Sequence, residues 1–230
     1  MSIAAFRGYQ AGTCLAEMAG VLSTRTVSAL NATSRQTATL SDNEPVAQPR
    51  IVALGGGTGL PAVLRGIREV AESVTGSDRS DWLTAIVTVM DDGGSSGRLR
   101  ASLGVLPPGD IRNCLAALVR RPSLLSRVLN DRLPGENGEV GHAVGNLLLA
   151  ALSSTEPDFT RAIGALAAQM DVSGRVLPAT HESVHLRASF QDGGDVRGET
   201  AIAARRGRIR RLSLERPVAA APDVLGCSCW

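Results

Sequence analysis

The sequence predicts one α/β domain, a mostly parallel sheet followed by a small antiparallel β-meander, and three observations carry that reading. Arg50 to Gly66, RIVALGGGTGLPAVLRG, runs from a short apolar stretch through a glycine-rich loop into a segment of helical spacing. Trp82 to Met90, WLTAIVTVM, is a second β-branched and nearly uncharged run. Beyond Pro178, apolar residues recur at every second position rather than every third and fourth. A chain of 230 residues is long enough to bury a real core as one domain with appendages.

Taken in order, Ile51, Val52 and Leu54 are β-prone and too few for a helix, so they read as a buried parallel strand. Leu60, Val63, Leu64, Ile67, Val70, Ala71 and Val74 then share one helix face, with Thr58 as its expected N-cap and Pro61 in its first turn. Gly55, Gly56, Gly57 and Gly59 leave the backbone between strand and helix bare, so amides and the positive helix end can approach an anion, phosphate above all. A tight turn alone would need fewer glycines. Gly57, Gly59 and Ala62 also satisfy the loose G-x-G-x-x-A dinucleotide fingerprint, which is too weak to argue a nicotinamide enzyme by itself. A P-loop is excluded: all 24 basic residues are arginine, and the motif needs a lysine.

Gly76 to Ser80 reads as a polar link before the second strand, and Asp91 and Asp92 fall at that strand's carboxyl end, where open α/β sheets place ligands. Ser95 and Ser96 continue into a flexible loop, with Arg98 and Arg100 close behind. Such a loop could hold a divalent cation on the carboxylates, bind a ribose hydroxyl, or reach phosphate oxygens through arginine and backbone; a solvated turn is the plainer alternative. After LPPG, Asp110 is an expected N-cap for a helix with the stripe Ile111, Leu115, Leu118 and Val119, and Arg112 and Asn113 lie in its first turn, where they could face the same anion. Leu124 to Leu129 is a short helix and LPGENGEVG a polar loop. GHAVGNLLLAAL reads as a helix with His142 and Asn146 on one face, flanked by Gly141 and Gly145. Phe159 to Met170 is a further helix and Arg175 to Pro178 a strand. Val184 to Phe190, a QDGG turn, Val196 to Ile202 and Ile209 to Leu214 complete the meander, with Arg205, Arg206, Arg208, Arg210 and Arg211 as its solvated face.

Composition removes several function classes. A net charge of +2, arginines spread along the chain and 3% aromatics argue against nucleic-acid binding. Cys14, Cys114, Cys227 and Cys229 have neither zinc spacing nor the density of a disulfide scaffold, which fits a reduced, cytosolic protein. No apolar run reaches the roughly 18 to 20 residues that span a bilayer. Residues 1–49, rich in Ser, Thr and Ala, read as an extension; a transit peptide fits them better than a secretory signal, beside a disordered or mis-assigned start.

GGGTGL, IVTVMDDGGSSGRLR, LGVLPPGDIRNCL, GHAVGNLLLAAL and VSGRVLPAT, in this order, resemble the gluconeogenesis factor family (YvcK-like), within the superfamily of the 2-phospho-L-lactate transferases (CofD-like). The resemblance spans roughly residues 50–217. It implies a Rossmann-like three-layer sandwich of the bacterial cytoplasm, and a regulator of carbon metabolism, cell shape and wall synthesis that binds a nucleotide sugar such as UDP-N-acetylglucosamine. The ligand positions expected are Gly55, Gly56, Gly57, Thr58, Gly59, Ser95, Ser96, Arg98, Arg112, Asn113, His142 and Asn146. For the transferase branch, which passes a phospholactyl group from a nucleotide to a deazaflavin, the resemblance implies a divalent metal, Mg²⁺, at Asp91 and Asp92. No organic cofactor, nucleic acid or membrane partner is implied, and a homo-oligomer is compatible. Members of the family continue past the meander into a G-P-G-S-[LF]-Y-T-S block that contributes to the nucleotide site. This chain instead reads PDVLGCSCW, so residues 218–230 are expected to be atypical and the C-terminal part of the family fold missing.

Overall fold

A computed structural model of the chain describes residues 50–75, 82–135 and 140–226. The expected extension at 1–49, the link at Gly76 to Ser80, part of the LPGENGEVG loop and the pair Cys227 and Cys229 lie outside them. In chain order the elements are β1 (Ile51–Gly55), α1 (Gly59–Thr75), β2 (Leu83–Val87), α2 (Gly94–Leu103), α3 (Gly109–Leu118), α4 (Leu124–Val128), β3 (Arg132–Pro134), β4 (Val140–Ala143), α5 (Val144–Leu152), α6 (Phe159–Ala168), β5 (Arg175–Pro178), β6 (Leu186–Phe190), β7 (Asp195–Arg197), α7 (Glu199–Ala204), β8 (Ile209–Leu214) and α8 (Pro222–Leu225).

The main sheet is parallel, in the order β1-β2-β5, with Gly55 beside Val87 and Val87 beside Pro178. All five residues of β2 are buried, as its uninterrupted apolar run requires of a central strand. Leu83, Ala85 and Val87 face one way, onto Leu60 and Leu64 of α1, Ile111, Leu115 and Leu118 of α3, and Ile163 and Leu166 of α6. Ile86 faces the other way with Val52 and Leu177, and is covered by Ala221 and Val224 of the C-terminal segment. That segment is anchored where the amide of Ala221 donates to the carbonyl of Ala179 at 3.0 Å. Among the described residues the three layers are therefore a helical layer, the sheet, and a short cover that includes α8.

Four expectations about local structure change, each for a tertiary reason. Residues 94–103 are helical rather than a flexible loop. The face that α2 buries is Ser95, Ser96, Leu99 and Arg100, so no apolar period announces it. Arg100 is only 8% exposed and donates to the hydroxyl of Ser183 (2.9 Å) and the carbonyl of Val184 (2.8 Å). Part of the polar loop forms the antiparallel β3–β4 hairpin, pairing Arg132 with Ala143 and Pro134 with Val140. His142 consequently lies on β4 and not on the helix that carries Asn146.

The expected return strand at Val196 to Ile202 stops after three residues. Gly198, at φ +96°, turns the chain out of the strand, and α7 begins. Finally, β8 pairs with β6 rather than β7, giving the order β7-β6-β8, so the antiparallel unit is not a sequential meander. Of its expected arginine face, Arg205 is the exception to full solvation, lying over the Phe190 ring at 4.2 Å.

Leu64 is fully buried, whereas Leu54, on the edge strand β1, is 65% exposed. Leu64→Ala is expected to lower unfolding stability by about 2–5 kcal/mol, and Leu54→Ala to change it by less than about 0.5 kcal/mol, both read from urea denaturation followed by circular dichroism.

Candidate functional site

The glycine loop closes the end of β1 and opens α1. The amide of Thr88 donates to the Gly55 carbonyl at 2.8 Å, which extends the β1–β2 pairing one step beyond the strands. A side chain at Gly56 would collide with the Thr88 hydroxyl and come within 2.7 Å of an Asp110 carboxylate oxygen. By contrast, a Cβ at Gly57 or Gly59 would meet nothing within 4 Å, and Thr58 is exposed between them. The outer rim of the loop is thus open, as its composition suggests. One amide is already engaged: Gly57 N–H donates to Asp110 Oδ2 at 2.6 Å. Asp110 is not the N-cap of α3, a position held by Pro108 without a side-chain bond. It ties the loop instead.

Around the loop the acids divide into two kinds. Asp91 accepts the Gly93 amide at 2.9 Å through one oxygen, and its other oxygen lies beside Gly109, the first residue of α3. Asp92 accepts the first two amides of α7, Glu199 at 3.1 Å and Thr200 at 2.8 Å, with His185 Nδ1 3.7 Å away. Burial alone would raise the Asp92 carboxyl, but the Thr200 amide and hydroxyl, the Glu199 amide and His185 outweigh it and hold the group below its ordinary value. Asp110 is pushed the opposite way by burial and by the charge of Asp91, against the pull of the Gly57 amide and Arg112. Glu199 is raised by burial and then by Asp91, Asp92 and Asp110. The acids at this end of the sheet therefore differ in how well their surroundings favour the charged form.

A second neighbourhood lies between α2 and the β3–β4 hairpin, in an open cleft of about 750 Å³ lined by Asp92, Gly94, Ser95, Gly97, Arg98, Ala101, Arg132 and Val140. Ser95 sits in its wall, bonded to His142 Nδ1 and to Asn146 Nδ2, each at 3.0 Å. His142 and Asn146 thus meet on one hydroxyl although they occupy different elements. Ser96 points elsewhere and accepts the Gly109 amide at 3.1 Å. Arg98 is anchored to the Val140 carbonyl at 2.6 Å, and Arg112 donates to Asn113 Oδ1 at 2.6 Å.

The glycine loop lines neither this cleft nor a groove of about 660 Å³ between α6 and β5. The expected ligand positions therefore form two adjoining groups rather than one pocket. Asp110 and Arg132 were not expected at the site. The acid after LPPG was legible as a helix-terminus residue; Arg132, just before the polar loop, gave no signal.

No group of three or more His, Cys, Asp or Glu is arranged to share a metal ion among the described residues. Cys114 is a free thiol inside the core, pushed up to about 12 by burial and by Asp110, which leaves it without nucleophilic character. No helix among the described residues is long and apolar enough to cross a membrane.

The stretch of chain that builds both neighbourhoods lies within a match to known proteins. The family model described as 2-phospho-L-lactate transferase CofD matches residues 51–226. The chain belongs to the CofD family. Within it, the chain is 44% identical over 167 residues to the gluconeogenesis factor of Bacillus subtilis, an alignment covering 73% of this chain and 50% of that protein. With the gluconeogenesis factor of Halalkalibacterium halodurans it shares 44% over 164 residues, 71% of this chain and 48% of the relative. A crystal structure of a UPF0052 family protein from Bacillus halodurans superposes with a TM-score of 0.68 at 38% identity, covering 79% of this chain and 56% of that one. This CofD-family chain therefore spans about half the length of the relatives it matches. The family match reaches Gly226 and includes the packed Ala221 and Val224.

Asp92→Asn is expected to cost about 1 kcal/mol at neutral pH, since an amide accepts less strongly at the start of α7. Because the folded pKa of Asp92 is depressed, its contribution is present above the unfolded value near 3.9 and fades as pH falls through the folded value. The gap between wild type and variant in denaturation free energy should accordingly close between about pH 5 and pH 2.

Proposed function

We propose that this CofD-family chain binds a nucleotide sugar, of the UDP-N-acetylglucosamine class, through its diphosphate, and serves as a cytoplasmic regulator of the gluconeogenesis-factor type in carbon metabolism, cell shape and wall synthesis. The observation that carries the reading is the open rim of the glycine loop. Backbone at Gly57 and Gly59 faces free space at the N-terminus of α1, where amides and helix dipole favour an anion. The bacterial relatives are named gluconeogenesis factors, which supports the link to carbon metabolism.

A second reading, a phospholactyl transferase of the kind the family model describes, is favoured by the gathering of Asp91 and Asp110 beside the glycine loop and the first residue of α3. The donor set fits Mg²⁺, which binds through one or two carboxylates and substrate phosphates and keeps several waters. Asp91 and Asp110 are the acids that would hold it; Asp92 fits poorly, because both of its oxygens already accept α7 amides. When bound, such an ion would offset charge developing on a transferring phosphoryl group. Arg112, whose charge already acts on Asp110, would stand beside it as a second cation.

UDP-N-acetylglucosamine in hundredfold excess over its Kd should stabilise the chain by about 2.7 kcal/mol and raise Tm. Gly59→Asp adds a charge without a collision, since its Cβ has open space. It should leave the unliganded Tm unchanged or higher and abolish the ligand shift. No shift in wild type, or an undiminished shift in Gly59→Asp, overturns the binding reading. Turnover of a nucleotide-activated phospholactate with deazaflavin and Mg²⁺, lost in Asp91→Asn, would select the transferase.

A further inference from the structure

We propose that the free edge of β8 is a docking strand for an acidic extended peptide, which pairs its main chain with Leu212 and Leu214 and sets carboxylates against the arginines of residues 206–211. β8 closes one side of the antiparallel sheet, in the order β7-β6-β8. The Glu215 amide donates to the His185 carbonyl at 2.9 Å and Ser213 stands beside Arg187. Alternate residues of β8 are thereby turned toward β6, and Leu212 and Leu214 turn their peptide groups outward. Among the described residues nothing bonds to those outward groups. An edge of this kind is a template for one more strand.

The apolar face of the sheet also runs out at β8 without a cover. Ala188 of β6 is fully buried, yet Leu212, its partner across the ladder, is 54% exposed. Ile209, opposite the buried Phe190, is 45% exposed. An added strand would set its own apolar side chains beside these two and continue the face by one step.

Charge decides the kind of strand. Elsewhere on the sheet the arginines are matched: Arg187 holds Asp195 and Arg197 holds Glu215, both at 2.8 Å, and Arg205 holds Asp192 at 3.0 Å. Arg206, Arg208, Arg210 and Arg211 are all exposed, and among the described residues none of their guanidinium groups makes a hydrogen bond or ion pair. Arg210 acts on Asp195 only through its charge. Like charges so close together oppose pairing with a second copy of the same edge and attract carboxylates. A nucleic acid would meet the same charge, but the ring in this unit, Phe190, is buried and offers no stacking platform. An extended peptide uses everything the edge presents: main-chain groups for affinity, alternate side chains for specificity.

The probe is a capped, fluorophore-labelled peptide of roughly seven residues alternating glutamate with valine, titrated with the full 230-residue chain. Saturable binding in fluorescence anisotropy is expected, weakening as salt rises, with slowed amide exchange at Leu212 and Leu214. Arg210→Glu combined with Arg211→Glu should weaken it about tenfold or more through like-charge contact. The same variant should bind a peptide of alternating lysine and valine better than wild type does. Both positions are exposed, so the variant should melt close to wild type. A further arm leaves the protein unchanged. With valines beside Leu212 and Leu214 and glutamates on the Arg211 face, the valine amides point at β8. N-methylation at the valines should therefore weaken binding about tenfold or more, and N-methylation at the glutamates only a few-fold. The proposal is overturned by no saturable binding at millimolar peptide, by equal weakening from the two methylations, or by binding indifferent to the charge reversal. It is equally overturned by oligothymidylate binding more tightly than the peptide through the same arginines, or by a dimer in sedimentation that the reversal dissociates.

Discussion

Parallel pairing of β1 with β2, in the register that sets Gly55 beside Val87, is the constraint on which the rest of the molecule depends. Because both strands run the same way, the glycine loop leaving one and the acids leaving the other emerge at a single end of the sheet. α1, α2 and α3 also begin at that end. Three helix starts and three aspartates are thereby brought into one small volume, where backbone amides and carboxylates must satisfy one another or a ligand.

How they do so explains the electrostatics. Asp92 is consumed in starting α7, more than a hundred residues along the chain, and the amides it accepts keep it ionised. Asp110 has one amide partner, and burial, with the charge of Asp91 added, outweighs it and raises its carboxyl. Two aspartates near one strand end thus acquire opposite tendencies: one binds structure together, the other stands beside the loop that an anion would occupy. Arg100 makes a similar tie, carrying α2 onto Ser183 and Val184, so the antiparallel unit is held to the ligand end of the parallel sheet by buried polar contacts.

The adjoining cleft follows from the same arrangement. Ser95 and Ser96 sit next to each other at the start of α2 and point to different neighbourhoods, one toward His142 and Asn146, the other toward the first amide of α3. A single helical turn thus separates the glycine loop from an arginine-lined cleft, and α3 presents Asp110 to the first.

Sequence by itself determined the elements whose burial is apolar and local. The 51–55 strand, the helix after the glycines and the 175–178 strand stand where their apolar periods put them, and the five sequence blocks led to the family that the comparisons show. Tertiary structure alone decided the elements whose stabilising partners are polar and distant. α2 buries serines and an arginine, α7 begins on a carboxylate from across the chain, and the β3–β4 hairpin is exposed on its first strand, so none leaves a hydrophobic period to read. Hydrophobic burial writes a repeat into neighbouring residues, whereas a hydrogen bond between residues a hundred positions apart leaves no trace in either segment, and at this sheet's carboxyl end such bonds set the fold and shape the candidate site.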